Sequence, residues 1–177
     1  MSIRNELLEK IAGATFDIRN NASIAGYGSI GIDNDVAVGT INSTPKLIAG
    51  FDTELLTPKG VDHVLADDAM RFNYGGVWSF SIKVVLTFDD LNAGRRIYFQ
   101  IYNPDKSEFG DKFYYFVGRN TDGVNMNVTV PVDIHDDNVG DRGQLYIGSD
   151  SDTFTNAVNI GTTYSVTCNA PVTELVL

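Results

Sequence analysis

Residues 26–31 read GYGSIG, which matches the glycine pattern of dinucleotide-binding proteins. In those proteins the glycines let the backbone approach a pyrophosphate, and a carboxylate about twenty residues later binds the ribose. Asp52 and Glu54 lie at that distance from the motif. The pattern therefore raises the hypothesis of a cofactor-dependent enzyme, which the flanking sequence tests.

The segments around this motif do not fit a phosphate-binding loop. Such a loop follows a hydrophobic strand and opens a helix, whose N-terminal amides hold the phosphates. Here the preceding residues read DIRNNASIA, and the following residues, IDNDVAVGTINSTP, show no helical period. Ser29 also lacks the first glycine of a nucleophile elbow, since Tyr27 takes its place. We predict instead a connector, SIAGYGSIG, whose glycines adopt positive φ angles.

The second group of reactive side chains is an acidic segment, VDIHDDNVGDRG, around one of the two histidines. Dense carboxylates suit Ca²⁺, which takes six to eight oxygen ligands. A solvated acidic turn between two strands is the alternative, and we favour it. We expect no other metal or cofactor. The calcium candidates are Asp133, His135, Asp136, Asp137 and Asp141.

The remaining candidates for catalysis are few. With only His63 and His135, the chain offers little material for a Ser-His-Asp triad or a histidine-rich metal centre. Carboxylates are plentiful, but no pair is distinguished as the acid and nucleophile of a glycosidase. The single Cys168 excludes an internal disulfide, and its strand-like setting favours a buried structural thiol. We therefore predict a protein without enzymatic activity.

The composition excludes further classes of function. The 177-residue chain carries 13 Lys and Arg against 23 Asp and Glu, a formal net charge of −10, without a basic stripe. A polyphosphate backbone would be repelled, so we expect no nucleic-acid partner. No run of eighteen apolar residues predicts a membrane span, and we expect no membrane partner. The length and the 43% hydrophobic content suit one globular domain with a buried core.

The N-terminus differs from the rest of the chain. Its apolar residues recur with helical spacing, which predicts a short amphipathic helix over residues 1–14. A helix of three turns is marginal in water and needs a partner surface. Charged residues interrupt the segment, so we expect no signal peptide and synthesis in a cytoplasm. The face that we predict to contact the partner comprises Ile3, Leu7, Leu8 and Ile11.

Beyond the connector, short β-branched and aromatic segments alternate with turn sequences such as NTDG at 120–123. This pattern predicts an all-β fold, an antiparallel β-sandwich for which a jelly roll is the favoured version. We expect three parts, namely the N-terminal α-helix (1–14), a glycine-rich connector (15–35) and the sandwich (36–177).

Two segments show the alternation expected of strands that pack on a core from one side. In VWSFSIKVVLTF, Trp78 and Phe80 begin an almost wholly apolar face, while Ser79 and Ser81 belong to a mostly polar face. In RIYFQIY, two tyrosines share the face opposite Ile97. We expect this tyrosine face to meet either solvent or another subunit.

The segment FNYGGVWSFSIKVVLTF (72–88) resembles the central strand region of C1q/TNF-like jelly rolls. That family carries a Phe, a Gly and alternating aromatics, positions filled here by Phe72, Gly76, Trp78 and Phe80. The sequence departs from the pattern in having Trp where Tyr is usual and Ile82 where an aromatic is common. The resemblance implies a compact homotrimer whose apolar strand faces meet near a threefold axis.

The opening MSIRNELLEKIAGAT resembles the start of short bacteriophage virion proteins, in which a brief helix anchors an exposed β-rich domain. This likeness implies a noncatalytic virion structural protein, made in the host cytoplasm, whose trimeric domain decorates or cements the capsid surface. Its partners would be further copies of itself and other virion proteins, above all the major capsid protein. The predicted helix would then contact the shell or the other subunits.

A second function stays open, namely a tail-fibre or head-fibre module that binds host surface glycans. Sugar recognition combines ring stacking with polar side chains, and exposed aromatic residues with nearby Asp and Asn would suit it. The candidate glycan-binding residues are Tyr98, Tyr102, Tyr114 and Tyr115.

Overall fold

The computed structural model describes residues 24–89, 95–118, 123–150 and 153–169. Within these ranges the chain is all-β, with two 3₁₀ turns at Leu65–Asp67 and Asp136–Asn138. No helix in this part of the chain is long and apolar enough to cross a bilayer. The strands are β1 (Ile24–Gly31), β2 (Val36–Ile41), β3 (Lys46–Leu47), β4 (Thr53–Lys59), β5 (Val61–Val64), β6 (Ala69–Phe72), β7 (Gly76–Thr87), β8 (Arg95–Asn103), β9 (Glu108–Phe109), β10 (Phe113–Val117), β11 (Gly123–Ile134), β12 (Arg142–Gly148), β13 (Phe154–Asn159) and β14 (Thr163–Asn169).

These strands form two antiparallel sheets of seven strands each. In sheet A the order is β2-β13-β7-β14-β1-β4, and β11 pairs with the other edge of β7. In sheet B the order is β10-β8-β12-β6-β5, with β3 beside β12 and β9 beside β8. Strand β7 pairs with β11 along its whole length, while its opposite edge is divided between β14 and β13. The helix predicted over residues 1–14 lies outside the described residues.

The core lies between the sheets and is centred on the apolar face of β7. Trp78 and Phe80 are fully buried, whereas the intervening Val77 is 59% exposed, so the predicted alternation is confirmed. The Trp78 ring meets the Phe72 ring edge-on at 5.1 Å, and the Phe80 ring stacks on Tyr164 at 5.6 Å between centroids. Because this apolar face fills the interior, subunit contacts in a trimer have to use other surfaces.

The glycine motif, predicted as part of a connector over 15–35, forms strand β1 instead. Strand β1 pairs antiparallel with β14 and β4. The next element is strand β2, so no helix N-terminus follows the glycines to hold a phosphate. Neither Gly26 nor Gly28 has a positive φ angle. A Cβ on Gly26 would overlap the Trp78 ring, and one on Gly28 would lie 2.7 Å from His63 Nε2. The glycines therefore provide space for core side chains that approach the backbone.

Replacing Gly28 by alanine is expected to lower the free energy of unfolding by about 1–3 kcal/mol, because the new methyl group overpacks the core. Equilibrium urea denaturation measures the change. Gly161→Ala is the matched control, since a Cβ there would meet Val85 at an ordinary 3.7 Å. Equal denaturation midpoints for the two variants would contradict this account of the motif.

Candidate functional site

The outer face of sheet B carries a group of aromatic side chains. On β8 the side chains of Ile97 and Phe99 point into the core, so the alternating tyrosines point outward. Strand pairing sets Tyr114 opposite Tyr98 and places Phe109 opposite Tyr102. We call this surface the aromatic face. It comprises Tyr98, Tyr102, Phe109, Tyr114, Phe116 and Tyr146.

Tyr98 lies on the aromatic face but is only 1% exposed. Gly148 gives its ring room on β12, because a Cβ at that position would overlap the ring. The Lys112 ammonium lies 4.1 Å from the ring centroid, and the Tyr114 ring meets it edge-on at 5.8 Å. Tyr98 is therefore covered on both sides, and its ring does not offer a stacking surface to a sugar.

Asp150 holds the side chains above Tyr98 in place. It accepts hydrogen bonds from Tyr114 Oη at 2.6 Å and from Lys112 Nζ at 2.5 Å. These bonds, the one from Lys112 above all, hold the pKa of the Asp150 carboxyl below its ordinary value. The bond to Asp150 in turn raises the pKa of both Lys112 and Tyr114. The Tyr114 hydroxyl is thus already hydrogen-bonded within the protein, although the Tyr114 ring is exposed.

The other predicted tyrosines lie apart from this network. Tyr102 packs against Phe109 at 4.6 Å and against Tyr146 at 5.0 Å between ring centroids. Tyr115 belongs to the opposite face of β10, together with Phe113 and the buried Val117. The four tyrosines therefore do not converge on one site. The sequence prediction missed Phe109 and Tyr146, whose proximity to Tyr102 depends on strand pairing.

The acidic turn after β11 carries the calcium candidates predicted from the sequence. Among the described residues, no group of three or more His, Cys, Asp or Glu side chains is placed to hold a metal ion. The Lys106 ammonium lies there instead. It donates to the Asp137 carbonyl oxygen at 2.9 Å and to the Asn138 side-chain oxygen, and lies 3.7 Å from Asp141 Oδ2. Asp133 and His135 are exposed, and Asp136 begins a 3₁₀ turn.

Arg142 neutralises two further acids close to this turn. Its guanidinium donates to Asp105 Oδ1 at 2.7 Å and contacts the Asp67 carboxylate, while its backbone N–H donates to Asp105 Oδ2 at 2.7 Å. The hydrogen bond from the Arg142 side chain lowers the pKa of the Asp105 carboxyl. Lys106 and Arg142 thus link the loop after β8 to the ends of β11 and β12.

Acidification is expected to weaken the fold through these ion pairs. Asp105 and Asp150 have pKa values below the ordinary 3.8, because Arg142 and Lys112 donate hydrogen bonds to them. Such carboxylates stabilise the fold above pH 3.8, and this stabilisation is lost as the pH falls through their lowered pKa values. The melting temperature of Asp150→Asn should therefore fall less on acidification than that of the exposed control Asp35→Asn. Identical pH profiles for the two variants would contradict this assignment.

Ser29, His63 and Glu54 lie close together, but their geometry is not that of a catalytic triad. The His63 side chain is buried, its Nε2 accepts the backbone N–H of Ser29 at 3.1 Å, and its Nδ1 lies 3.3 Å from Glu54 Oε1. The Ser29 hydroxyl meets the Ser165 hydroxyl at 2.7 Å instead of the imidazole. A nucleophile needs a base within reach of its own proton. This cluster is therefore structural and joins β1 to β5.

Comparisons with known proteins bear on the fold alone. No family model and no curated protein matches the sequence. The globular domain of zebrafish complement 1qA aligns over 81% of this chain and 96% of its own, with a TM-score of 0.53 and 7% identity. Murine APRIL aligns over 81% of this chain and 98% of its own, with a TM-score of 0.52 and 12% identity. The vertex protein P5 of PRD1 aligns with a TM-score of 0.45, from which nothing further follows. The predicted jelly-roll fold is confirmed.

Proposed function

We propose that this chain is a noncatalytic structural protein of a bacteriophage virion, a homotrimeric β-domain that decorates or cements the capsid surface. The observation that carries the proposal is the edge strand β10. It pairs with β8 alone among the described strands and exposes three consecutive aromatic side chains, Tyr114, Tyr115 and Phe116. Phe116 is 66% exposed. An exposed hydrophobic edge strand pairs with another chain unless it is covered. We therefore expect β10 to bind a protein partner.

A further copy of the same chain is the partner that we propose for β10. Most oligomers of soluble proteins are closed and symmetric, and a head-to-tail contact that closes after three copies covers every β10 edge. The resemblance of residues 72–88 to C1q/TNF-like domains implies the same number of subunits. The outer face of β7 carries the polar residues Ser79, Ser81 and Lys83. It is therefore a less suitable apolar contact surface for the trimer than β10.

Several side chains of types that can act in catalysis make structural contacts in this domain. His63 is buried against β1, and the Ser29 hydroxyl is bonded to Ser165. Arg142 and Lys106 are bound by carboxylates. These contacts support a binding or structural role over an enzymatic one.

The virion assignment rests on the N-terminal segment, which lies outside the described residues. We propose that its predicted helix attaches the domain to the shell through the face formed by Ile3, Leu7, Leu8 and Ile11, with the major capsid protein as the partner. The protein would be made in the host cytoplasm and reach the exterior as part of the particle.

Immunogold electron microscopy of purified virions, with an antibody against this chain, tests the proposal. Label spread over the capsid shell is the expected result. Label confined to the tail or to fibre tips would favour the glycan-binding alternative over capsid decoration. Particles without label would contradict a place in the virion.

A further inference from the structure

The buried imidazole of His63 links the two sheets at the side of the sandwich formed by β1, β4 and β5. Its Nε2 accepts the backbone N–H of Ser29 at 3.1 Å, and the whole side chain is buried. The pairing of β1 with β4 is irregular on both sides of Ser29, so the regular ladder is interrupted at this residue. Because β1 belongs to sheet A and β5 to sheet B, this hydrogen bond joins the two sheets.

The contacts of the two ring nitrogens determine where the proton of the neutral imidazole lies. A ring nitrogen that accepts an N–H carries no proton, which assigns the proton of the neutral ring to Nδ1. Nδ1 lies 3.3 Å from Glu54 Oε1 and makes no hydrogen bond within the described residues. A second proton can therefore be added only at Nε2, where it meets the N–H of Ser29.

One charged side chain, that of Glu54 on β4, contacts the imidazole in the part of the chain that the structure describes. The residue opposite His63 on β6 is the uncharged Met70, and the β1 residues next to Nε2 are Gly28 and Ser29. The Glu54 side chain is half exposed, so its carboxylate is in contact with water as well as with the ring. This carboxylate favours the charged form of the imidazole, at the nitrogen that does not contact Ser29.

The other titratable residues of these strands have different neighbours. Asp62 precedes His63 on β5, is exposed, and accepts a hydrogen bond from Asn73 Nδ2 at 3.2 Å. Tyr27 and Lys59 lie opposite each other in the β1–β4 pair, and neither contacts the imidazole. The response of the ring to protonation is therefore set by Ser29 on one side and by Glu54 on the other.

We infer that His63 is a proton-sensitive link between the two sheets. While the ring is neutral, its Nε2 holds β5 against β1. Protonation places an N–H on Nε2 opposite the Ser29 N–H, so two donors face each other and the hydrogen bond is lost. The charged ring keeps its contact with Glu54 and therefore stays with β4. Acid thus loosens the contact of β5 with β1, whether or not the protein belongs to a virion, because the link lies within one chain.

Amide hydrogen exchange of Ser29 in the full chain, followed by ¹H–¹⁵N NMR at pH 8 and pH 5, tests this inference over the range in which histidine side chains change charge. The protection factor corrects for the pH dependence of the intrinsic exchange rate. We expect the protection of Ser29 to fall about tenfold from pH 8 to pH 5, the order of magnitude for the loss of one hydrogen bond. The amide of Phe80 in the centre of β7 reports any general loss of stability and should stay protected.

His63→Gln is the matched control, because the glutamine side-chain oxygen accepts a hydrogen bond and does not titrate. In this variant the protection of Ser29 should be the same at the two pH values. The long-range ¹H–¹⁵N spectrum of the unmodified chain reports the protonation of each ring nitrogen, so the test stands even if His63→Gln fails to fold. Nε2 of His63 should be unprotonated at pH 8 and should gain its proton as Ser29 loses protection.

Three results would overturn the inference, namely a proton on Nε2 at pH 8, a protection factor of Ser29 that does not change from pH 8 to pH 5, or an equal loss of protection in His63→Gln. The ion pairs of Asp105 and Asp150 respond below pH 3.8 and so do not contribute in this range. Loss of the trimer or of capsid labelling would not affect these results, so the two proposals fail separately.

Discussion

Replacing Trp78 by alanine is expected to lower the free energy of unfolding by about 3–5 kcal/mol, the usual cost of removing a buried tryptophan side chain. Its ring is fully buried, meets Phe72 edge-on at 5.1 Å and lies against Gly26 of β1. The indole N–H also donates to the carbonyl oxygen of Tyr74 at 3.2 Å. Alanine would leave a cavity between the two sheets that the neighbouring strands fill only in part.

Urea denaturation followed by far-UV circular dichroism measures this change, since the variant lacks the only tryptophan of the chain. Val77→Ala is the matched control on the same strand. Val77 points outward and is largely exposed, so its replacement should change the free energy of unfolding by no more than about 0.5 kcal/mol. A loss for Val77→Ala as large as that for Trp78→Ala would mean that the two faces of β7 are assigned the wrong way round.

The second large effect concerns the proposed trimer. Phe116→Glu is expected to convert it to monomers, because the substitution buries an unpaired charge at the contact formed by β10. The same charge change at Leu56, an exposed residue on the edge strand β4 of sheet A, is the control and should leave the trimer intact. Analytical ultracentrifugation of both variants gives the masses. If Leu56→Glu dissociated the trimer and Phe116→Glu left it intact, the subunit interface would not be formed by β10.

The strands that the sequence predicts best are those with a strong local pattern. The sequence predicts strands at Val36–Ile41 and Val77–Phe88, because β-branched and aromatic residues dominate both segments. Strand β2 has the predicted bounds, and β7 begins and ends one residue earlier than predicted. The sequence predicts a turn at TPKG (57–60) and therefore does not predict strand β4. Its position at the edge of sheet A explains this, since an edge strand tolerates a proline that cannot donate to a neighbour.

Features that depend on contacts between distant segments could not be predicted in the same way. The glycines of β1 are explained by the bulk of Trp78 and His63, which approach from other strands. The burial of Tyr98 requires Gly148 across the sheet. Likewise, the sequence 133–141 shows dense acids but does not show that Lys106 reaches them. Each of these relations is set by strand pairing over long separations, which local pattern does not encode.

The measurement that tests the central claim most directly is the mass of the full chain in solution by light scattering. The proposed trimer predicts three times the chain mass of 19.3 kDa, unchanged as the protein is diluted through the micromolar range. A mass of 19.3 kDa at every concentration would contradict it, because the exposed aromatic edge of β10 would then have no partner of its own kind.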